Sequence, residues 1–134
     1  MKYEEAKWHY ESGVLGRHYF VDEDMHSCGE CRDYHMDGGL CCHYYRRNGY
    51  NYGEVKVFNE NGTLRGHCLM DGRGYKLAIV IEYDKPASHS EEQLIEIAKE
   101  HNLPLLSELP KTEAELTHWN LKWPDCPCLP IESK

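Results

Sequence analysis

The sequence predicts an α+β fold: a three- or four-stranded, mainly antiparallel sheet covered by two C-terminal helices, beside a Cys/His-rich metal-binding loop region. Three observations predict it. Residues 52–83 alternate as a β-meander does, and two capping boxes open helical segments after residue 89. Residues 25–50 are rich in Cys, His, Gly and Tyr but show no sustained period.

The N-terminal third predicts three segments. Residues 3–11 carry apolar side chains at helical spacing, which indicates a short helix that ends near Gly13. Residues 14–21 are rich in β-branched and aromatic side chains and predict a strand. Because residues 25–50 lack a period, we expect a loop region there that a metal ion organises.

The meander of residues 52–83 contains the clearest turn signal. Asn61-Gly62 is the pair preferred in type I′ turns, so it predicts a hairpin between two strands. The segment 71–74 turns the chain again, and residues 75–83 form a third strand, with apolar side chains on both faces.

Two helices are expected after Pro86 ends the sheet. The capping box Ser90–Gln93 predicts a helix to about residue 102, and Thr112–Glu115 predicts a second one to about residue 121. Residues 103–106 fit a short edge strand. We find no internal repeat and no linker, so residues 1–134 are expected to form a single domain.

Hydropathy and charge restrict the expected location of the protein and the ligands that it can bind. No apolar run approaches the roughly 20 residues of a membrane span, and the N-terminus lacks an apolar export signal, which predicts a cytoplasmic protein without membrane contact. The net charge of −8 argues against general nucleic-acid binding, because phosphates require clustered cations. Residues 41–76 are the exception, with six basic and three acidic side chains.

The cysteines point to a metal, since thiols in a reducing compartment rarely form disulfides. Cys-x-x-Cys supplies two zinc ligands from one turn. In an extended segment Cys41 and Cys42 point to opposite faces, whereas Cys41 and His43 share one. The predicted zinc ligands are Cys28, Cys31, Cys41 and His43, with Cys126 or Cys128 as a rival fourth ligand. An iron–sulfur cluster is the alternative cofactor.

Plainer interpretations exist for these residues. Cys68 lies within a predicted strand and is expected to be a buried thiol. Dithiol redox chemistry at residues 28–31 lacks the long helix that lowers a thiol pKa. The acidic run 22–24 with His26 could hold a hard cation, but such runs are usually solvated strand ends.

The basic segment suggests a ligand site. Residues 44–52 interleave tyrosines with Arg46 and Arg47, a combination that can stack bases and hold phosphates. Arg46, Arg47 and Arg73 are the predicted anion-binding residues. The overall charge makes a nucleic-acid polymer a less favoured ligand than a small anion.

The leading functional hypothesis is therefore a small zinc-binding module whose metal is structural and which binds another macromolecule, a protein, through its acidic surface. The alternative is an enzyme, either a thiol or iron–sulfur redox protein or one that acts on a small, nucleotide-like anion.

Overall fold

A computed structural model describes residues 3–124 and 127–128, which form one antiparallel sheet of eight strands and two α-helices. The strand order in the sheet is the order in the chain. The strands are β1 Glu4–His9, β2 Leu15–Val21, β3 Ser27–Tyr34, β4 Leu40–Arg47, β5 Tyr50–Phe58, β6 Leu64–Asp71, β7 Lys76–Glu82 and β8 Lys85–Pro86. The helices are α1 Glu91–Glu100 and α2 Glu113–Lys122, with a 3₁₀ turn at Leu106–Glu108.

The first six strands form three hairpins that repeat one pattern: hairpin 1 (β1–β2), hairpin 2 (β3–β4) and hairpin 3 (β5–β6). In each, a glutamate of the first strand contacts a histidine thirteen residues later, in the second strand. The three pairs are Glu5–His18, Glu30–His43 and Glu54–His67. The residues opposite these glutamates in the ladder are Phe20, Tyr45 and Leu69. The hairpins are thus structural repeats, which overturns the expectation that the chain contains none.

The hairpin turns repeat as well. Each ends in a glycine at positive φ, which is easily adopted only without a Cβ: Gly13, Gly38 and Gly62, at 91°, 93° and 89°. Each turn is followed by one residue of the second strand that has no partner in the ladder, a β-bulge. The bulged residues are Gly16, Cys41 and Arg65.

The repeat length changes by one residue, and the connections between the hairpins differ in length and kind. The glutamates are 25 residues apart between hairpins 1 and 2, but 24 apart between hairpins 2 and 3. The chain passes from β2 to β3 through a loop closed by the Asp22–His26 hydrogen bond, whereas Asn48-Gly49 joins β4 to β5 directly. Both of these residues have positive φ, as a type I′ turn requires.

One side of the sheet, the covered face, carries the helices and the segment between them. Trp119 of α2 is 2% exposed, and its ring lies 5.3 Å from that of Tyr45. Leu94 of α1 is fully buried in a cluster with Leu69 and Ala78. Burial of a leucine contributes about 2 kcal/mol. The other side, the open face, has a cluster of strand residues only, centred on Cys31, Tyr44 and Val55.

The predicted fold class is wrong in the size and covering of the sheet. Instead of three or four strands there are eight, and residues 25–50 form β3 and β4 rather than a metal-organised loop region. Backbone ladders and a repeated turn organise this segment. Its Cys, His and Tyr side chains obscured the alternation of the strands. The helices are confirmed, but they cover one face of part of a wider sheet.

Three local predictions also need correction. Residues 3–11 contain strand β1, because Glu4–His9 pairs with β2. Asn61-Gly62 belongs to a three-residue loop closed by hydrogen bonds between Asn59 and Thr63, so it is not a two-residue type I′ turn. Residues 103–106 form no strand. The strand expected over residues 14–21 is confirmed as β2.

No helix in the described part of the chain is long and apolar enough to cross a bilayer.

Candidate functional site

The sheet separates the predicted zinc ligands. Cys28 pairs with Phe20 and lies on the covered face, as does His43, whose Nε2 is 2.8 Å from the Glu30 carboxylate. Cys31 lies on the open face, packed against Tyr44. Among the described residues these side chains do not form a group of three or more ligands within reach of one ion. Cys126 lies outside the described residues.

Cys41 and Cys42 are closer than alternation predicts. Their sulfur atoms are 3.6 Å apart, because Cys41 is the bulged residue of hairpin 2 and a bulge interrupts the alternation of side chains. Two sulfurs bound to one tetrahedral zinc ion, each at about 2.3 Å, lie roughly 3.8 Å apart. The pair can therefore act as a two-sulfur chelate.

The surroundings of the thiols disfavour thiolate chemistry at neutral pH. Burial raises the pKa of Cys28 to about 11 and that of Cys31 to about 12. Burial, together with the hydrogen bond between the Cys42 and Cys41 thiols, raises the pKa of Cys42 to about 12. Redox cysteines have the opposite property, a lowered pKa.

One group of possible oxygen and nitrogen ligands does converge. Asp22, Asp24 and His26 lie in the loop between β2 and β3, with one ligand atom from each within 4.8 Å of the others. Asp22 Oδ1 already accepts hydrogen bonds from the backbone N–H groups of Asp24 and His26, at 2.9 Å each. A turn of the backbone held by these hydrogen bonds is enough to bring the three side chains together. Asp24 and His26 are also exposed to solvent.

The Glu–His pair of hairpin 3 anchors the segment after α1. Gly53 has φ of 83°, and a Cβ there would lie 2.5 Å from the Pro104 carbonyl oxygen. The N–H of Glu54 donates to that oxygen at 2.9 Å, and the Glu54 carboxylate accepts from Leu106 N–H at 2.8 Å and contacts His67 Nε2 at 2.6 Å. Burial favours a raised pKa for Glu54, but the bonds from His67 and Leu106 outweigh it and lower the pKa.

Hairpin 2 holds a second proline in the same way. Gly29 also has positive φ, a Cβ there would collide with Pro127, and Glu30 N–H donates to the Pro127 carbonyl at 3.2 Å. Glu30 also pairs with Arg32 at 2.8 Å. The two buried Glu–His pairs are therefore structural anchors. Sequence reasoning missed them, although the Glu–His separation of thirteen residues, present three times, was a readable signal.

The predicted anion-binding arginines are divided between two locations. Arg47 and Arg73 line one cavity of about 640 Å³ at the end of the sheet that carries the β4–β5 and β6–β7 turns. Arg46 is held elsewhere: its Nε donates to Asn51 and its guanidinium lies 5.6 Å from the centre of the Tyr44 ring, on the open face. The tyrosines of residues 44–52 are also divided: Tyr44 belongs to the open-face cluster, whereas Tyr50 and Tyr52 line the cavity with Arg47.

An apolar groove of about 340 Å³ crosses the open face at hairpin 3 and β7. Its apolar lining includes Val55, Val57, Cys68, Met70, Ile79 and Ile81. The space is open because Gly66 has no side chain to fill it. The equivalent positions in hairpins 1 and 2 are occupied by Arg17 and Cys42. Cys68, expected to be a buried thiol, is half-buried in this groove.

Comparisons with protein-family models, with curated proteins and with solved structures found no match for the chain.

Proposed function

We propose that the protein acts by binding another protein, and that the groove beside Gly66 receives an apolar side chain of the partner. The observation that carries this proposal is the asymmetry of the sheet. One face is covered by α1, α2 and the segment between them, whereas the apolar cluster on the open face consists of strand residues alone.

The groove has the composition of a protein-binding pocket: an apolar floor with a charged rim. The rim contains the ion pair Lys76–Glu82, at 3.4 Å, and Arg65. Interfaces concentrate their affinity in a few anchors that fill such pockets, surrounded by a polar rim. A partner segment with one large aliphatic or aromatic side chain fits this arrangement.

The acidic surface that the sequence predicts as the partner-binding surface lies on the helical layer and not on the open face. Its largest stretch on one element is the outer side of α1, with Glu91, Glu92, Glu96 and Glu100 exposed. Exposed charges of this kind influence association rates and solubility more than affinity. We therefore keep a protein as the partner class and move the proposed contact to the open face.

The zinc site stays a prediction, and the proposed function does not depend on it. The separation of Cys28 and His43 from Cys31 across the sheet gives it little support. Elemental analysis of protein prepared without chelator tests it. About one zinc per chain in the wild type, and less in Cys28→Ser, would support the predicted ligands.

Peptide selection tests the groove even though the partner is not identified. A displayed peptide library is selected on the wild-type protein, and the recovered peptides are then titrated against Gly66→Leu. A Cβ at this position would make only ordinary contacts, 3.7 Å from Val57 Cβ, so a side chain can enter the groove without a backbone clash. We expect peptides that share one apolar residue and bind Gly66→Leu at least tenfold more weakly.

The matched control is Glu96→Gln on α1, which should bind the same peptides unchanged. Chemical-shift mapping then locates the bound peptide on the protein. Equal affinity for wild type and Gly66→Leu, or shifts confined to α1, would contradict the proposal. The second result would favour the acidic surface.

A further inference from the structure

The cavity that contains Arg47 and Arg73 lies where three separate segments meet. The β4–β5 turn contributes Arg47, the β6–β7 turn contributes Arg73, and Leu103 follows α1. An adjoining cavity of about 340 Å³ shares Arg47 and reaches Lys122 at the end of α2. The two cavities form one corner of the molecule, distinct from the groove beside Gly66.

The charge of this corner is opposite to that of the whole chain. Among the described residues, Arg47, Arg73 and Lys122 line the two cavities together with one carboxylate, that of Asp71. The ammonium of Lys122 is paired with Glu108 at 3.2 Å, so Arg47 and Arg73 are the cations on which the inference depends. The side chain of Asp71 is occupied with the turn, because its Oδ1 accepts from the backbone N–H groups of Arg73 and Tyr75 at 2.7 and 3.1 Å. Two arginines thus line one corner of a protein whose net charge is −8.

The walls of the same corner are aromatic. Tyr50 and Tyr52 line the larger cavity and Trp123 lines the smaller one. The guanidinium of Arg47 lies 5.9 Å from the centre of the Tyr52 ring. Aromatic faces stack on planar rings, and guanidinium groups form paired hydrogen bonds with phosphate oxygens. The volume is within the usual range for small-molecule sites.

We infer that this corner binds a small phosphate ester that carries a planar ring, of the class of nucleoside monophosphates. Arg47 and Arg73 hold the phosphate, and the tyrosines or Trp123 contact the ring. Arg46, which the sequence grouped with them, takes no part, because its side chain lies on the open face against Tyr44. A long polyanion is disfavoured by the acidic remainder of the surface.

Calorimetric titration tests this inference with defined probes. The four common ribonucleoside 5′-monophosphates, the matching nucleosides and inorganic phosphate are titrated separately into the full chain. We expect saturable binding of at least one monophosphate. Its nucleoside and inorganic phosphate should each bind at least tenfold more weakly, since each makes only half of the contacts.

Charge-removing variants locate the site. Arg73 lies in an exposed turn, and Arg73→Gln should weaken binding of the monophosphate about tenfold or more, because a hydrogen bond to a charged group is lost. Arg47→Gln should do the same. Lys85→Gln removes an equal charge from the exposed strand β8, outside both cavities, and should leave the affinity unchanged. Asp71→Asn keeps an acceptor for the turn and should tighten binding.

Several outcomes would overturn the inference. They are no saturable binding of any of the four monophosphates, inorganic phosphate binding as tightly as the best of them, or unchanged affinity in Arg73→Gln with its melting temperature preserved. Tighter binding of a ten-nucleotide single strand than of any monophosphate would also overturn it, in favour of a nucleic-acid surface. None of these results bears on the groove beside Gly66.

Discussion

The carboxylates of Glu5, Glu30 and Glu54 occupy equivalent positions in the three hairpins but differ in burial. The Glu54 side chain is 8% exposed and that of Glu5 is 45% exposed. The same contact with a histidine should therefore contribute differently to stability in each hairpin. A buried charge depends on its partners, whereas an exposed pair is screened by water.

We predict that Glu54→Gln lowers the free energy of unfolding by about 2 kcal/mol at pH 7, the contribution typical of hydrogen bonds to a charged group. Glu5→Gln, the matched control, should cost less than about 0.5 kcal/mol. Urea unfolding of the two variants and the wild type provides the measurement. Equal losses in both variants would show that burial does not govern the strength of the pair.

The pH dependence of the Glu54 contribution has a defined sign. Because the pKa of Glu54 is lowered in the folded protein, the ionised form is stabilised on folding. That stabilisation is complete above the unfolded pKa of about 4.3 and is lost as the pH falls through the lower folded value. The difference between wild type and Glu54→Gln should therefore shrink below about pH 4. A difference that grows on acidification would contradict this assignment.

The sulfur atoms of Cys41 and Cys42 support a chemical prediction. A trivalent arsenical such as phenylarsine oxide bonds to two thiols at once, which requires sulfurs about as close as the 3.6 Å seen here. We expect one equivalent to bind per chain, and binding to be lost in Cys41→Ser and in Cys42→Ser. Cys68→Ala is the control and should bind normally. Mass spectrometry of the adducts distinguishes these cases, and loss of the adduct in Cys68→Ala alone would contradict the prediction.

At the scale of elements, each turn uses the local conformation that its residues allow. The β6–β7 turn places Gly74 at positive φ, whereas the corresponding residue of the β2–β3 turn is Met25, at 64°. Left-handed conformation costs a residue with a Cβ about 1 kcal/mol. Met25 is 74% exposed, so its side chain gains little from packing.

We predict that Met25→Gly raises the free energy of unfolding by about 0.5 kcal/mol. The backbone strain that glycine relieves is larger than the entropic cost of folding a more flexible unfolded chain. Met36 is also exposed and lies in a turn, but its φ is not positive. Met36→Gly should therefore lower stability by a similar amount. Thermal melts of the two variants give the comparison, and a lower melting temperature for Met25→Gly would contradict the prediction.

The sheet and the C-terminal segments bury their apolar side chains against each other in two clusters. Trp119 packs on Tyr45 of β4 and on Trp123, while Leu105 lies in a cluster with Leu69 of β6. Glu54 binds the backbone of the segment between the helices. The sheet therefore should not keep its structure after the helical part has detached.

We predict a single cooperative unfolding transition in urea, seen equally by two probes. Far-UV circular dichroism follows the strands. The change in tryptophan fluorescence on unfolding follows mainly Trp119 and Trp123, because these rings are buried whereas Trp8 is already 53% exposed. Coincident midpoints are the expected result. A fluorescence midpoint at clearly lower urea would show that the C-terminal part unfolds independently.

Local signals predicted local elements well. The motifs that begin at Ser90 and Thr112 predict both helices, because the bonds that start a helix lie within four residues of one another. Ser90 forms a complete capping box with Gln93, and the Thr112 hydroxyl accepts from Glu115 N–H. The strands of residues 52–83 followed from alternation. The sequence does not predict the strands within residues 25–50, because the cysteines and histidines there indicate ligands and the residues that pair with them lie on neighbouring strands.

The candidate sites were predictable only in part. The sequence predicts Arg46, Arg47 and Arg73 as anion-binding residues. The turns bring Arg47 and Arg73 to one cavity, whereas Arg46 lies on the open face against Tyr44. The strand places neighbouring residues on opposite faces. The groove beside Gly66 gave no local signal, since it is formed by the absence of a side chain among three strands.

The sequence alone determined the helices, the existence of strands and the excess of acidic charge, since these depend on nearby residues and on composition. The tertiary structure decided the number of strands, the separation of Cys28 from Cys31, the proximity of Cys41 to Cys42 and the uncovered face. The physical reason is register. Pairing between strands determines which face each side chain occupies, and bulges change that assignment by one residue.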